Sequence, residues 1–304
     1  MNPTAHLLEA GVALAVPLLL AALGEIMAER AGVINVGIEG MVLAGALAGF
    51  AGSYAAHSPW AGALAAVAAG VALAALLALL SVKFGSDQVV VGTAINILAL
   101  GLTGVFARAL FSDSTASAAP FVAMPIPVLS RLPVIGPALF SQNALGYLAW
   151  LLIPACWFFL FRTRPGLRLR AAGEYPAAAD GAGVRVGRVR TLATLWGGGL
   201  AGLAGAFLSI GYTNGFVENM SGGRGFIALA VVILGRWNPL GAGLAALLFG
   251  LASALQFQFQ ATTVRVPHQL LLALPYLLTL AALLLRSRLK SAPPAALGEP
   301  YRRG

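Results

Sequence analysis

The stretch Gly24-Glu25-Ile26-Met27-Ala28-Glu29-Arg30-Ala31-Gly32-Val33-Ile34-Asn35-Val36-Gly37-Ile38-Glu39-Gly40-Met41 lies between two long apolar runs and carries three carboxylates, one arginine, one asparagine and four glycines. In hydrocarbon an unpaired backbone amide costs several kcal/mol, so irregular, glycine-rich backbone beside membrane spans is expected only where protein buries it or water lines it. The segment therefore points to a transport path through a helical membrane protein.

Composition agrees with that class. The chain has 304 residues, of which 59% are hydrophobic and 10% charged, and its mean hydropathy is +0.87; soluble domains carry about 25% charged residues. The formal net charge of +9 would suggest nucleic acid in a soluble domain, but the basic residues collect in loops next to apolar spans, where they orient the chain in the bilayer. Nucleic acid is not an expected partner; membrane lipid is. The single cysteine, Cys156, sits inside an apolar run and gives neither a disulfide framework nor a cysteine metal site. The opening Met1 to His6 lacks a basic region and the run that follows reaches Glu25 without a cleavage signal, which argues against a removable leader.

A hydrocarbon core of about 30 Å needs roughly 20 apolar residues per helix. Spans are expected near 7–24, 37–57, 60–82, 88–111, 143–161, 191–212 and 267–285. Two further segments, 225–235 and 240–257, flank Arg236-Trp237-Asn238-Pro239, and the first is short enough to be a half-helix or re-entrant element. The expected fold is an all-α polytopic bundle of about 8–10 membrane segments, one domain over 1–290 with a disordered tail over 291–304. Arginines crowd the loop from Arg162 to Arg190 and the tail beyond Arg286, which places both in the cytoplasm, the N-terminus outside and the C-terminus inside. The proline-rich connection from Ser112 to Gln142 should then lie outside. Gly45, Gly49, Gly198, Gly202 and Gly205 read as sites of close helix approach.

Three motifs in fixed order carry a resemblance. The run Gly24 to Met41, then Asp87-Gln88-Val89-Val90-Val91-Gly92-Thr93-Ala94-Ile95-Asn96, then Gly222-Gly223-Arg224-Gly225-Phe226-Ile227-Ala228-Leu229-Ala230 through Gly235-Arg236-Trp237-Asn238-Pro239-Leu240-Gly241 resemble the permease subunits of ABC-type nucleoside and simple-sugar importers. The resemblance covers nearly the whole chain. It implies a binding-protein-dependent importer of the bacterial cytoplasmic membrane, with a second permease, most simply as a heterodimer, a cytoplasmic ABC ATPase and an external solute-binding lipoprotein. ATP and Mg would be held by the ATPase, and this chain would carry no cofactor.

Individual residues follow. Glu25, Glu29 and Arg30 share a helical face and read as local ion pairs at the membrane boundary. Asn35 and Glu39 are pathway candidates, because ionisable and amide groups at membrane depth default to function. Glu39 also falls in the first turn of a span, where the helix dipole favours negative charge. Thr93 and Asn96, one turn apart on an apolar helix, offer donors and acceptors to a neutral hydroxyl-rich solute, although a lone amide in a span more often bonds a neighbouring helix. Arg236 and Asn238 match the third motif and complete the pathway candidates, with Trp237 as a headgroup anchor. Glu218 is a weaker candidate for contact with an external receptor. Gly173 to Val184 reads as a short helix, with Pro176 in its first turn and Gly181 near its end. Alone it is a surface anchor. The resemblance makes it the segment that docks on the ATPase, with Glu174, Pro176, Ala177, Ala178, Ala179, Asp180 and Gly181 as coupling residues.

No phosphate-binding Gly-x-x-x-x-Gly-Lys-Ser/Thr loop and no His-Glu-x-x-His pair occurs, so no catalytic or metal site is expected. Two other readings stay open: a permease for a sugar or another small polar solute, and an ion-coupled secondary carrier that uses Glu39 with the broken segments.

Overall fold

Seven helices among the described residues are long and apolar enough to cross a membrane. They belong to a computed structural model that describes residues 3–111, 117–133, 135–261 and 292–301, together with the single positions 277, 280 and 284. The elements are α1 (Pro3–Arg30), α2 (Ile38–Ala56), α3 (Pro59–Leu77), α4 (Gln88–Leu110), α5 (Ile135–Phe140), α6 (Ala144–Arg162), α7 (Arg164–Glu174), α8 (Pro176–Gly181), α9 (Val186–Ala206), α10 (Arg224–Leu234) and α11 (Pro239–Ala261). Wider π-helical turns, Ala78–Lys83 and Phe207–Tyr212, extend α3 and α9. No strand occurs among the described residues.

The all-α polytopic bundle expected from composition is the observed fold. Helices lie where the apolar runs lie, and the segment near 240–257 is a full-length span within α11. Apart from the single positions 277, 280 and 284, the segment 267–285 falls outside the described residues. The boundaries carry ordinary stop and start chemistry. Asp87 caps α4 by accepting from the Val89 and Val90 amides at 2.9 Å each, and Asn143 caps α6 through the Gly146 amide at 2.9 Å.

The centre of the bundle is α1, whose residues from Leu18 to Leu23 are all buried. It packs on α9, α10, α11 and α6, while α2 packs on α3, α9 and α4. Between apolar helices in lipid, close backbone approach substitutes for hydrophobic drive. A side chain on Gly45 would meet the Gly202 Cα at 2.5 Å, and one on Gly198 would meet the Gly70 carbonyl oxygen at 2.5 Å. These glycines let α9 run between α2 and α3 in backbone contact, as the sequence ladder implied.

Two ends of the bundle differ. One gathers the ends of α1 and α10, the starts of α4, α9 and α11, the arginine-bearing α7 and the short α8. The other gathers the connection from 117 to 143, where Phe121 bonds the Ile210 carbonyl at 2.8 Å and Ser53 bonds the Ala119 carbonyl at 2.7 Å.

Candidate functional site

The chain stops being helical after Arg30 and resumes at Ile38, with Gly32 at a positive φ of 94°. Such a break exposes backbone groups that must be paired in the protein interior. Four side-chain contacts do so. Glu25 Oε1 accepts the Asn35 amide at 2.9 Å, and Gln88 Oε1 accepts the Ile34 amide at 2.7 Å. Asn96 acts at both ends of its amide: Nδ2 donates to the Val36 carbonyl at 2.9 Å, and Oδ1 accepts from the Gly40 amide at 2.8 Å. Gln88 opens α4, and Asn96 lies about 12 Å further along it at 1.5 Å per residue. The break therefore climbs from the end of the bundle into its interior, and α2 begins at depth.

Helix α10 has 11 residues, about 16 Å of length, against a hydrocarbon core of about 30 Å. It is the half-helix its short apolar run implied. Its N-terminal amides would be orphaned at depth, and Glu39 satisfies them. Glu39 Oε1 accepts from Gly223 at 2.7 Å and Oε2 from Gly225 at 2.6 Å. A carboxylate at that place also meets the positive end of the helix dipole. The other end of α10 turns through Arg236 and Trp237, both at positive φ. There the Trp237 indole N–H donates to Glu29 Oε2, and Arg30 Nε donates to the Trp237 carbonyl at 3.0 Å. The segment from Gly24 to Met41 thus grips α10 at both ends.

Several expectations change here. Glu25 and Glu29 are buried rather than exposed at a membrane boundary, because the break and α10 need their oxygens. Trp237 is 2% exposed, so it is no headgroup anchor; its N–H is committed to Glu29. Glu218 pairs with Arg108 at 2.8 Å in an exposed ion pair.

Asn35, Glu39 and Asn96 come together around the break. Thr93 does not join them: it is exposed, and its hydroxyl bonds the Val89 carbonyl at 2.8 Å. Arg236 and Asn238 lie at the opposite end of α10. Asn238 starts α11 by accepting from the Leu240 amide at 3.0 Å, and Arg236 is exposed. Two buried oxygens of the cluster, Glu25 Oε2 and Asn35 Oδ1, have no hydrogen-bond partner among the described residues.

The short helix expected over 173–184 is α8, with Pro176 in its first turn. Ahead of it stands α7, in a stretch that reads as loop from sequence although Thr163 and Pro165 announce a helix: Thr163 Oγ1 accepts from the Gly166 amide at 3.1 Å. Ala179 is buried, in a small apolar cluster with Ala172 and Val186, while Ala177, Ala178 and Gly181 are exposed. Asp180 lies between them near the end of α8. Glu174 ends α7 and approaches Arg30 at 3.8 Å.

Sequence reading missed Arg190. From sequence it reads as one of the loop arginines, yet it is 2% exposed in the first turns of α9. Its Nε donates to the Ala31 carbonyl at 3.1 Å, its Nη1 to the Glu299 carbonyl at 2.6 Å, and its Nη2 reaches the Ala172 and Ala296 carbonyls at 3.4 and 3.5 Å. One guanidinium thus joins the break, α7 and the C-terminal segment. That segment was expected to be disordered; residues 292–301 instead pack here, with the Ala296 amide on the Gly173 carbonyl at 2.9 Å and Gly298 on Gly32 at 3.2 Å. Backbone pairing to glycines leaves no periodic signature in the tail's own sequence.

The arrangement is mechanical rather than catalytic: a surface segment, a broken helix and a half-helix tied in series. Among the described residues no group of three His, Cys, Asp or Glu side chains is placed to hold a metal ion.

Comparison with known proteins agrees with this architecture. The chain is 39% identical to TsgC13 of Haloferax volcanii, provisionally named a glucose ABC transporter permease protein, over 100% of this chain and 99% of that protein. It is 37% identical to the guanosine ABC transporter permease protein NupQ of Bacillus subtilis, over 95% of this chain and 94% of NupQ. Identity to the nucleoside ABC transporter permease protein NupC of Lactococcus lactis subsp. cremoris is 34%, over 92% and 91%. No solved structure matches. Permease subunits are translocation components of multi-pass membrane transporters, not enzymes, and the seven apolar helices among the described residues agree with a multi-pass membrane protein. The family pattern of the branched-chain amino acid transport system permease component matches residues 7–283, and the chain belongs to that family.

Proposed function

We propose that the chain is the translocation subunit of an ABC importer for nucleosides, and that α7 and α8 receive the stroke of an ATPase subunit. The observation that carries this reading is the serial linkage described above. Gly173 and Glu174 at the end of α7 lean on Arg30, Arg190 clasps Ala31 and Ala172 together, and Arg30 with Glu29 holds the turn that ends α10. A displacement of α8 would reach the break and the half-helix through these contacts without passing through a flexible loop. The nucleotide would shift the bundle between states only as far as it binds one of them better.

Asn35, Glu39 and Asn96 form the inner lining candidates, with Glu25 Oε2 and Asn35 Oδ1 as acceptors that rearrangement of the break would present to a hydroxyl-bearing solute. Thr93, Arg236 and Asn238 act further from that centre. Glu174, Pro176, Ala177, Ala178, Ala179, Asp180 and Gly181 form the docking segment. The arginine-rich end faces the cytoplasm, and the N-terminus starts outside. An external solute-binding lipoprotein supplies the solute. A second permease completes the pathway; Bacillus subtilis has two guanosine permease proteins similar to this chain, NupQ and NupP, which favours a hetero pair. The identity to TsgC13 supports a sugar as the second reading, and the ribose of a nucleoside is the chemistry common to both.

The test uses the assembled transporter in proteoliposomes. Guanosine uptake should require ATP, and Ala178→Arg, on the exposed side of α8, should abolish uptake while the complex still assembles at reduced affinity for the ATPase. Undiminished uptake by this variant overturns the docking role. Uptake of glucose but of no nucleoside replaces the first reading with the second, and uptake by this chain alone under a proton or sodium gradient overturns both.

A further inference from the structure

Helices α6 and α9 both pack on α1 and leave between them an apolar groove of about 550 Å³ floored by Met27. Its walls are set by helical periodicity. Leu152, Cys156 and Phe159 line it from α6, and Leu192 and Trp196, one turn apart, line it from α9. Leu192 is 66% and Trp196 48% exposed, so the groove opens sideways, at the depth of two membrane spans. A second hollow of about 270 Å³ adjoins it at the arginine-rich end. The two share Val189 and Leu192, and the second is rimmed by Arg168, Arg185 and Arg188.

We infer that this composite groove is a binding site for one anionic phospholipid, its acyl chain between α6 and α9 and its headgroup phosphate on Arg168, Arg185 and Arg188. Charge complementarity selects this occupant. The apolar part is walled by spans that face hydrocarbon and offers a polar solute nothing. The basic part sits where a lipid headgroup would lie if its chain filled the groove. All three arginines are exposed, and none is paired with a carboxylate among the described residues. Basic pockets between spans at a membrane face are the usual recognition sites for anionic headgroups. The site also has a route to the machinery, since Arg168 belongs to α7 and Arg188 precedes Arg190 by two residues.

The measurement is quenching of Trp196 fluorescence by lipids brominated on their acyl chains, in the assembled transporter, with Trp196→Phe subtracted to remove the other four tryptophans. Brominated phosphatidylglycerol diluted into phosphatidylcholine should quench the Trp196 component at about tenfold lower mole fraction than brominated phosphatidylcholine, as expected for several basic side chains acting together. Replacing Arg168, Arg185 and Arg188 by Gln should remove that preference. Should the triple variant fail to fold, Arg188→Gln alone should lower the preference several-fold, and raising salt from about 0.05 to 0.5 M should weaken it in the unaltered protein. Equal quenching by both lipids, or a preference that survives the arginine changes, overturns the proposal. A Trp196 shielded from both lipids in the complex but quenched in the isolated chain overturns it in favour of a protein subunit covering the groove.

Discussion

Glu39 Oε2 accepts the backbone amide of Gly225 at 2.6 Å across 186 residues of chain. The contact puts a carboxylate from the first turn of α2 on the N-terminus of the half-helix α10, and fixes where both begin. Each helix end alone would favour an anion by about 0.3–1 kcal/mol, more when partly buried; here one carboxylate serves both.

Glu39→Gln keeps the shape but loses the charge, and turns one acceptor into a donor that faces an amide N–H. A stability loss of about 1–3 kcal/mol follows, from the unpaired amide. Thermal unfolding in detergent should show it as a lower midpoint, and uptake should fall with it. Glu218→Gln, at the exposed pair with Arg108, is the comparison; surface pairs are worth about 0–1 kcal/mol. Equal effects from the two changes would remove the special place given to Glu39.

Asn96 holds two backbone groups of the break at once. Asn96→Asp retains the acceptor for Gly40 but, when ionised, sets a carboxylate against the Val36 carbonyl, whereas Asn96→Leu loses both bonds without burying a charge. Both should lower the unfolding midpoint, by about 1–3 kcal/mol per unpaired buried group, and the Asp variant alone should recover as pH falls and its protonated carboxyl can donate to Val36. A midpoint unchanged in both variants would mean the break is wet enough to pair with water.

The spans up to α11, the short α10 run, the Pro176 helix and the glycine ladder were legible because each is written in neighbours along one helix or at its ends. The grips were not. Glu29 with Trp237, Glu39 with Gly225, and Arg190 with Ala296 join residues more than 100 apart in sequence, and no periodicity encodes which buried carboxylate meets which amide. Glu25 and Glu29 looked like surface ion-pair residues because helical spacing reports only the partners on their own helix. Arg190 looked like one more orienting charge because its four partners are main-chain carbonyls, which every sequence has. Helix α7 was hidden by Pro165 and Gly166, read as loop residues where the first serves a helix N-terminus.

Arg190→Lys keeps the charge and gives up the fork. A guanidinium has five donors in fixed directions and an ammonium three on one atom, so a lysine cannot reach the carbonyls of the break, α7 and the C-terminal segment together. Trypsin should then release the C-terminal segment faster from the variant, and uptake per ATP hydrolysed should fall, because α7 is no longer clasped to the break. A variant with the unaltered cleavage rate and coupling ratio would show that the tail and α7 are held by other contacts.

Gly45 and Gly101 separate packing inside the chain from packing between chains. A methyl at Gly45 would sit 2.5 Å from both the Gly202 Cα and carbonyl oxygen, whereas one at Gly101, on α4, meets nothing within 4 Å. Gly45→Ala should cost about 1–3 kcal/mol by overpacking, and would shift α2 and with it Glu39. Gly101→Ala should stabilise the isolated chain by up to about 1 kcal/mol, since alanine is the better helix former. The same change read in the assembled transporter locates the second permease. If that subunit lies against the exposed face of α4, where Ile97, Leu100, Val105 and Phe106 are also uncovered, Gly101→Ala should weaken assembly while leaving the chain's own midpoint raised. Assembly unaffected by Gly101→Ala, and equally unaffected by Leu100→Trp, would leave that face to lipid and direct the search for the partner to another side of the bundle.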